Sequence, residues 1–356
     1  MRLVTGLAVL APRFALAPGF ALAAGFALAS LQARADDLTV VGFGGSLQDA
    51  MRSAYFTPYR QAGHALKEDT TNGGLAKIKA MVTSGAVEWD VVQMPRDEME
   101  LACQEGLLEP LSAEELGLEG LLIPAATEPE CGIGFFVWSK VLAYDPARLP
   151  AAPTSWADFF DSDRFPGKRG LRKNARMTLE IALMADGVPP DEVYRVLGTE
   201  EGVQRAFDKL DGIRDRVVWW ESGAQAPEWL ASGEVAMSSA YNGRIANANE
   251  EGRAFGMVWD GQIFAMEFWT VPRGADLAAA KDFIAFAMAA DRQKAFTDAI
   301  PYGVTNLEAN ALIDPAVASQ LPTTPENMRS VLPLGAEFWV EHRDELQARF
   351  TRWLAQ

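Results

Sequence analysis

Short apolar runs alternate with amphipathic stretches along the chain from Leu38 onward. Leu38-Thr39-Val40-Val41-Gly42-Phe43 has the length and β-branched content of a buried strand, and Gly44-Gly45-Ser46 turns it into a helical stretch over 47–61. Leu75, Ile78 and Val82 share one face of a helix over 75–84, and Trp89-Asp90-Val91-Val92-Gln93-Met94 is a second apolar run, ended by Pro95. Residues 132–144 read as a longer strand, after which Pro146, Pro150 and Pro153 punctuate the route into Trp156-Ala157-Asp158-Phe159-Phe160. Farther on, the pattern predicts helices over 179–185 and 226–231, then a strand over 235–239 and a Tyr241-Asn242-Gly243-Arg244 turn. A strand ending at Phe268-Trp269-Thr270-Val271-Pro272 and a helix over 278–290 follow. Such alternation predicts an α/β fold with a mostly parallel sheet and helices on both faces.

The first 35 residues break this pattern, with three arginines and no acid among Ala, Leu, Phe and Val. Arg2, an apolar stretch over 15–31 and Ala33-Arg34-Ala35 at a cleavage point read as a signal peptide over 1–35, which places the mature protein in the periplasm. Pro12 and Pro18 leave that stretch short of the ~20 apolar residues that span a bilayer. Without this segment the formal charge moves from -16 to -19, with 29 basic against 48 acidic residues. A phosphate backbone needs concentrated positive charge, so this balance excludes nucleic acid as the main partner. Export also changes the meaning of the two cysteines. Cys103 and Cys131 read as a disulfide, the other reading being two reduced, buried small side chains. Two cysteines and two histidines, widely spaced, build no zinc site, and the six tyrosines stand singly rather than in an iron-binding pair. No HExxH, GxSxG or GxxxxGK[ST] occurs and neither His64 nor His342 belongs to a catalytic arrangement, so neither an enzyme nor a cofactor or metal is expected.

Several motifs in order then carry a resemblance: WDVV at 89–92, SWADFFD at 155–161, FPGKRGLRK at 165–173, GE at 233–234, YNGR at 241–244, FWTVPRGA at 268–275 and PYGVTN at 301–306. The chain resembles the exported substrate-binding proteins of ABC transporters for spermidine and putrescine. That resemblance implies two α/β lobes of the type II-like periplasmic-binding-protein fold, with a central ligand cleft. It divides the chain into 37–137 plus 265–305 for lobe 1 and 138–264 plus 306–356 for lobe 2, with Cys103 and Cys131 both in lobe 1. It further implies a soluble monomer that captures a polyamine or another small amine and hands it to an ABC permease. A ligand-sensing partner of a signalling receptor would share the same fold, and a periplasmic hydrolase would need a convergent catalytic set.

Polyamine sites of this family look like aromatic walls with carboxylates, because methylene chains want apolar contact and ammonium groups want acceptors or ring faces. Tyr241 falls at the aromatic position and Glu267 at the carboxylate position of that pattern. Two departures stand out. Ala265 replaces a flanking aromatic, and the stretch from Arg172 to Met177 contains no acid where one is expected. Arg244 adds a guanidinium, which pairs best with a planar carboxylate. It either meets a ligand carboxylate, making the ligand an ω-amino acid of the 4-aminobutanoate type, or pairs with Glu267 or another acid to lock a turn. Gly45, Ser46 and Asn72 offer backbone donors or polar groups at strand ends, with tight turns as the plain reading. Arg96 and Ser139 have similar reach. Trp219 and Trp220 divide between cleft wall and core, with Gln225 beside them. Tyr302-Gly303 and Thr305-Asn306 shape the cleft edge.

Overall fold

The computed structural model describes residues 37–318 and 320–356, so the expected signal peptide lies outside the described residues. Among the described residues ten strands form one sheet: β1 (Leu38–Gly42), β2 (Leu66–Thr70), β3 (Val91–Pro95), β4 (Ile133–Tyr144), β5 (Arg169–Arg172), β6 (Val217–Trp220), β7 (Met237–Tyr241), β8 (Gly256–Thr270), β9 (Gly303–Val304) and β10 (Val331–Pro333). Their order is β2-β1-β3-β8-β4-β7-β5-β6, with β9 on β4 and β10 on β8. The helices that bear on the cavity early in the chain are α1 (Gly45–Met51), α2 (Thr57–Gln61), α3 (Leu75–Ser84) and α4 (Arg96–Gln104).

The flanks match the parallel expectation, because β1 pairs parallel with β2 and β3, and β5 with β6 and β7. The centre corrects it: β8 runs antiparallel to β3 and β4, and β4 antiparallel to β7. The reason is the route of the chain. It leaves one half of the sheet on the 12-residue β4 and returns on the 15-residue β8, and a path out and back makes the two strands oppose each other. Aromatic stacking supports this pairing, with the rings of Phe135 on β4 and Trp269 on β8 3.9 Å apart, while Phe136 stacks at 4.9 Å on Tyr302, which leads into β9.

Three local expectations also change. The helix over 47–61 contains a π-helical turn at Arg52–Phe56, just ahead of Pro58, which has no N–H to continue a regular ladder. The segment from Tyr241 is a helix, Asn242–Glu250, rather than a turn. Gly243 is there for close approach, since a Cβ would come within 2.7 Å of Ile300 and Tyr302. The apolar stretch over 278–290 becomes two helices, Leu277–Ala287 and Ala290–Ala299.

Cys103 at the end of α4 is bonded to Cys131 just before β4, with Cα atoms 5.8 Å apart. Closing a loop across 28 positions stabilises chiefly by restricting the unfolded chain. Replacing both cysteines with serine is expected to lower the unfolding free energy by about 3 kcal/mol. Urea denaturation of the two proteins under oxidising conditions checks this, and coincident midpoints would refute it.

Candidate functional site

A cavity of about 60 Å³ lies where strand ends and helix starts converge. Glu267 of β8 and Phe136 of β4 are cross-strand neighbours, and Trp138, two residues on, presents its ring from the same face of β4. Gln93 and Pro95 come from the end of β3, Arg172 ends β5, and Tyr241 ends β7. Arg244 enters from the first turn of the helix Asn242–Glu250, Glu98 from α4, and Phe43 and Asn72 from the loops after β1 and β2. Arg176 comes from the loop after β5. That loop is held in an uncommon shape, with Met177 in the left-handed region at φ 69°.

Charges on this wall are unequally matched. Arg176 is ion-paired with Asp97; burial opposes its charge, but Asp97 and Glu98 hold the guanidinium above its ordinary range. Glu98 accepts from Arg343 at 2.8 Å, and Glu221 meets Lys173 at 3.0 Å. Glu267 differs. Its Oε1 accepts a hydrogen bond from Trp138 Nε1 at 2.8 Å, its Oε2 has no partner, and among the described residues no cationic side chain lies within ion-pair distance. Burial pushes this carboxyl from its ordinary 4.5 to about 8, against the pull of Trp138, Gln93 and the Arg176 charge. Arg172 and Arg244 are the converse case. Arg172 Nη1 donates to the Tyr241 hydroxyl at 3.0 Å and Arg244 Nη2 to the Gly44 carbonyl at 3.0 Å, and neither has a carboxylate partner among the described residues. The pairing of Arg244 with Glu267 that the sequence left open is therefore not made.

Of the residues singled out from the sequence, Tyr241, Arg244, Glu267 and Asn72 line this one cavity. Gly45 and Ser46 line an adjoining groove, which Arg244 also borders. Glycine is required at position 45: φ is +61°, and a Cβ would collide with the Arg244 guanidinium. Trp220 is fully buried behind the cavity, edge-on to Tyr241 at 5.9 Å. Trp219, on the opposite face of β6, packs instead on Phe350 and Trp353 of the C-terminal helix Ala336–Leu354. Gln225 accepts from the backbone N–H groups of Glu221 and Ser222, both at 2.8 Å, and so shapes the loop beside the cavity. The Ser139 N–H donates to Asn242 Oδ1, whose amide donates in turn to the Pro301 carbonyl; this bracing holds β4 against the helix that carries Arg244. Arg96 is turned aside, bonded to Glu100 and Glu128. Arg172, Arg176, Trp138, Gln93 and Glu98 were not singled out from the sequence as site residues. The acid-free stretch from Arg172 to Met177 was the one visible sign of the first two.

Residues 64–324 match the model of the bacterial extracellular solute-binding protein family. The chain belongs to that family. It is 47% identical over 327 residues to the gamma-aminobutyric acid-binding protein of Pseudomonas aeruginosa, covering 91% of this chain and 93% of the relative. Among solved structures, the binding protein AgtB of A. tumefaciens in complex with agropinic acid is 35% identical with a TM-score of 0.83, over 90% of this chain and 99% of that one. The Atu4243-GABA receptor is 34% identical with a TM-score of 0.79, over 90% and 98%. The fold is thus the two-lobed α/β architecture of type II periplasmic binding proteins, and the protein is an extracellular solute binder without catalytic activity. No group of three or more metal-ligating His, Cys, Asp or Glu side chains occurs among the described residues.

A carboxyl whose folded-state pKa is raised favours folding below its unfolded value and loses that contribution as pH rises through the folded value. The ligand-free protein should therefore lose stability between about pH 4.5 and 8 relative to Glu267→Gln. The gap should reach the order of a few kcal/mol above pH 8. Glu180, held by Trp339 and Tyr194 and pushed to about 7 by burial, titrates in the same range, but in both proteins alike. Denaturant melts of both across this range are the check; parallel pH profiles would remove Glu267 as the source.

Proposed function

We propose that this protein is the exported solute-binding component of an ABC transporter and that its ligand is a short zwitterionic ω-amino acid of the 4-aminobutanoate type, handed on to a membrane permease. The observation that carries this reading is the pattern of unmatched charge on one small cavity: a single carboxyl, Glu267, without a cationic partner, facing Arg172 and Arg244 without anionic ones. The ligand ammonium meets Glu267 beside the Trp138 ring, which packs edge-on against Tyr241, and the ligand carboxylate meets Arg172, Arg244 and the Tyr241 hydroxyl.

The same inventory disfavours a polyamine. Each added ammonium needs an acceptor, yet Glu98 and Glu221 are already engaged by Arg343 and Lys173, and unpaired guanidinium groups repel a polycation. Size separates the candidates only in part: a cavity of about 60 Å³ suits short solutes and disfavours spermidine, whereas putrescine is no larger than 4-aminobutanoate and is disfavoured by charge alone. The name of the P. aeruginosa relative supports the ω-amino acid, and the likeness to the GABA receptor structure agrees with it.

The lobes we assign are 37–137 with 265–305, and 138–264 with 306–356. On that division Glu267 and Gln93 stand on one lobe and Arg172, Arg244 and Tyr241 on the other. A zwitterion then bridges them, and its binding favours closure because both ends are satisfied only when the walls meet.

Isothermal titration of the mature protein should give 4-aminobutanoate a dissociation constant at least about a hundredfold below those of putrescine and spermidine. Arg244→Ala should weaken 4-aminobutanoate by about ten- to a hundredfold, the scale of a lost charged hydrogen bond, and leave putrescine unchanged or slightly improved. Tighter binding of a polyamine than of any ω-amino acid would sink the proposal.

A further inference from the structure

Among the described residues one lysine, Lys140, is fully buried. It follows Phe136 and Trp138 on the same face of β4, one step beyond the residues that line the cavity. Its Nζ lies 3.5 Å from the centre of the Tyr241 ring and 4.3 Å from that of Trp220, and has no hydrogen-bond partner. No carboxylate is within ion-pair distance of it among the described residues. The charges that act on it are cationic: Arg172 from β5, Arg176 from the loop after it and Arg244 from the helix Asn242–Glu250. From β7 comes the phenol of Tyr241, and from β8 its cross-strand neighbour is the uncharged Ile263.

A buried amine with no acceptor, packed on two aromatic rings and within reach of the charges of Arg172, Arg176 and Arg244, is a costly arrangement for a fold to keep unless something outside the chain relieves it. We propose that Lys140 is a positioning residue for ligand charge: acting through the ring it packs against, it makes Tyr241 a donor to the ligand carboxylate and makes the site select an anionic end. This rests on the zwitterion reading above. The chemistry is local. The Tyr241 hydroxyl already accepts from Arg172, so its own proton is free for an acceptor in the cavity, and a cation on the ring face polarises that O–H toward donation.

In the empty site, burial and then the charges of Arg172, Arg176 and Arg244 hold the Lys140 ammonium well below its ordinary range. A ligand carboxylate offsets those charges and raises it again. An amine whose pKa rises on binding takes up a proton, so carboxylate affinity is highest below the empty-site value and falls as pH rises through the bound one.

Isothermal titration in buffers of different ionisation enthalpy, with 4-aminobutanoate and its uncharged-end analogue 4-aminobutanamide, tests this on the unaltered protein. Proton uptake should be larger for the carboxylate, and equal counts for the two ligands would overturn the inference. Lys140→Met should lower uptake with 4-aminobutanoate and shrink its preference over the amide by about tenfold, within the range of a desolvated cation–ring contact. Thermal melting of that variant should be unchanged or higher, because a buried charge-bearing group has been removed. Lys140→Arg, whose charge is fixed, should keep the preference and abolish the difference in uptake between the two ligands, since the proton that Glu267 gives up to the ammonium end is common to both. A folded Lys140→Met protein with unaltered preference and uptake overturns the role of Lys140 alone, whereas failure of the unaltered protein to bind 4-aminobutanoate overturns the ligand reading beneath it.

Discussion

The site depends on one constraint: Glu267 is buried where the two long strands cross, and the chain supplies it with a single indole N–H and no cation. Taking a carboxyl out of water without an ionic partner costs free energy, and here burial raises its pKa well above the ordinary carboxyl range. Across the cavity, Arg172 and Arg244 carry the opposite deficit, satisfied by a phenol and a backbone carbonyl rather than by carboxylates. The protein keeps these two deficits apart in one small space. On the proposed reading, a solute bearing both charges removes both at once, and this separates it from a solute bearing only one kind.

Such a deficit persists only if the scaffold prevents the chain from curing it. The stack of Phe135 on Trp269 joins β4 to β8, that of Phe136 on Tyr302 joins β4 to the segment entering β9, and the buried Glu267 side chain is held by its bond from Trp138. The other acids nearby are already committed. Asp97 holds Arg176, and Glu98 meets Arg343 of the C-terminal helix, which ties α4 to that helix across the cavity wall. These pairs need not add net stability, but they decide which charges remain for a ligand. The glycines follow from the same crowding: Gly45 leaves room for the Arg244 guanidinium, and a Cβ at Gly223 would come within 2.9 Å of both Arg244 and Tyr241.

Much of the fold was legible in local pattern. The strands from Leu38 and Ile133, the helices Leu75–Ser84 and Thr178–Ala185, and the Cys103–Cys131 pair follow from apolar spacing, proline positions and the signal-like N-terminus. The antiparallel centre was not, because strand direction at a crossing is set by where the chain returns and not by composition. Tyr241 and Glu267 could be found from motif position, whereas Arg172 and Arg176 showed only as a stretch lacking acid. Their inward course depends on the left-handed Met177 turn, which nothing in that stretch announces. Adjacent Trp219 and Trp220 show the same limit in small: alternation along β6 requires one to face each way, and only the packing of the C-terminal helix against Trp219 assigns Trp220 to the cavity side.

The sequence by itself determined that an acidic α/β chain with an export-type N-terminus and one pair of cysteines would carry a carboxylate, an arginine and aromatic rings near strand ends. Which of those charges would stay unpaired was decided only by the tertiary structure. Glu98 finds Arg343 at a separation of 245 positions and Asp97 finds Arg176 at 79, while among the described residues neither Glu267 nor Lys140 has an ion-pair partner. Electrostatic pairing follows distance and desolvation in space, and neither is encoded in distance along the chain.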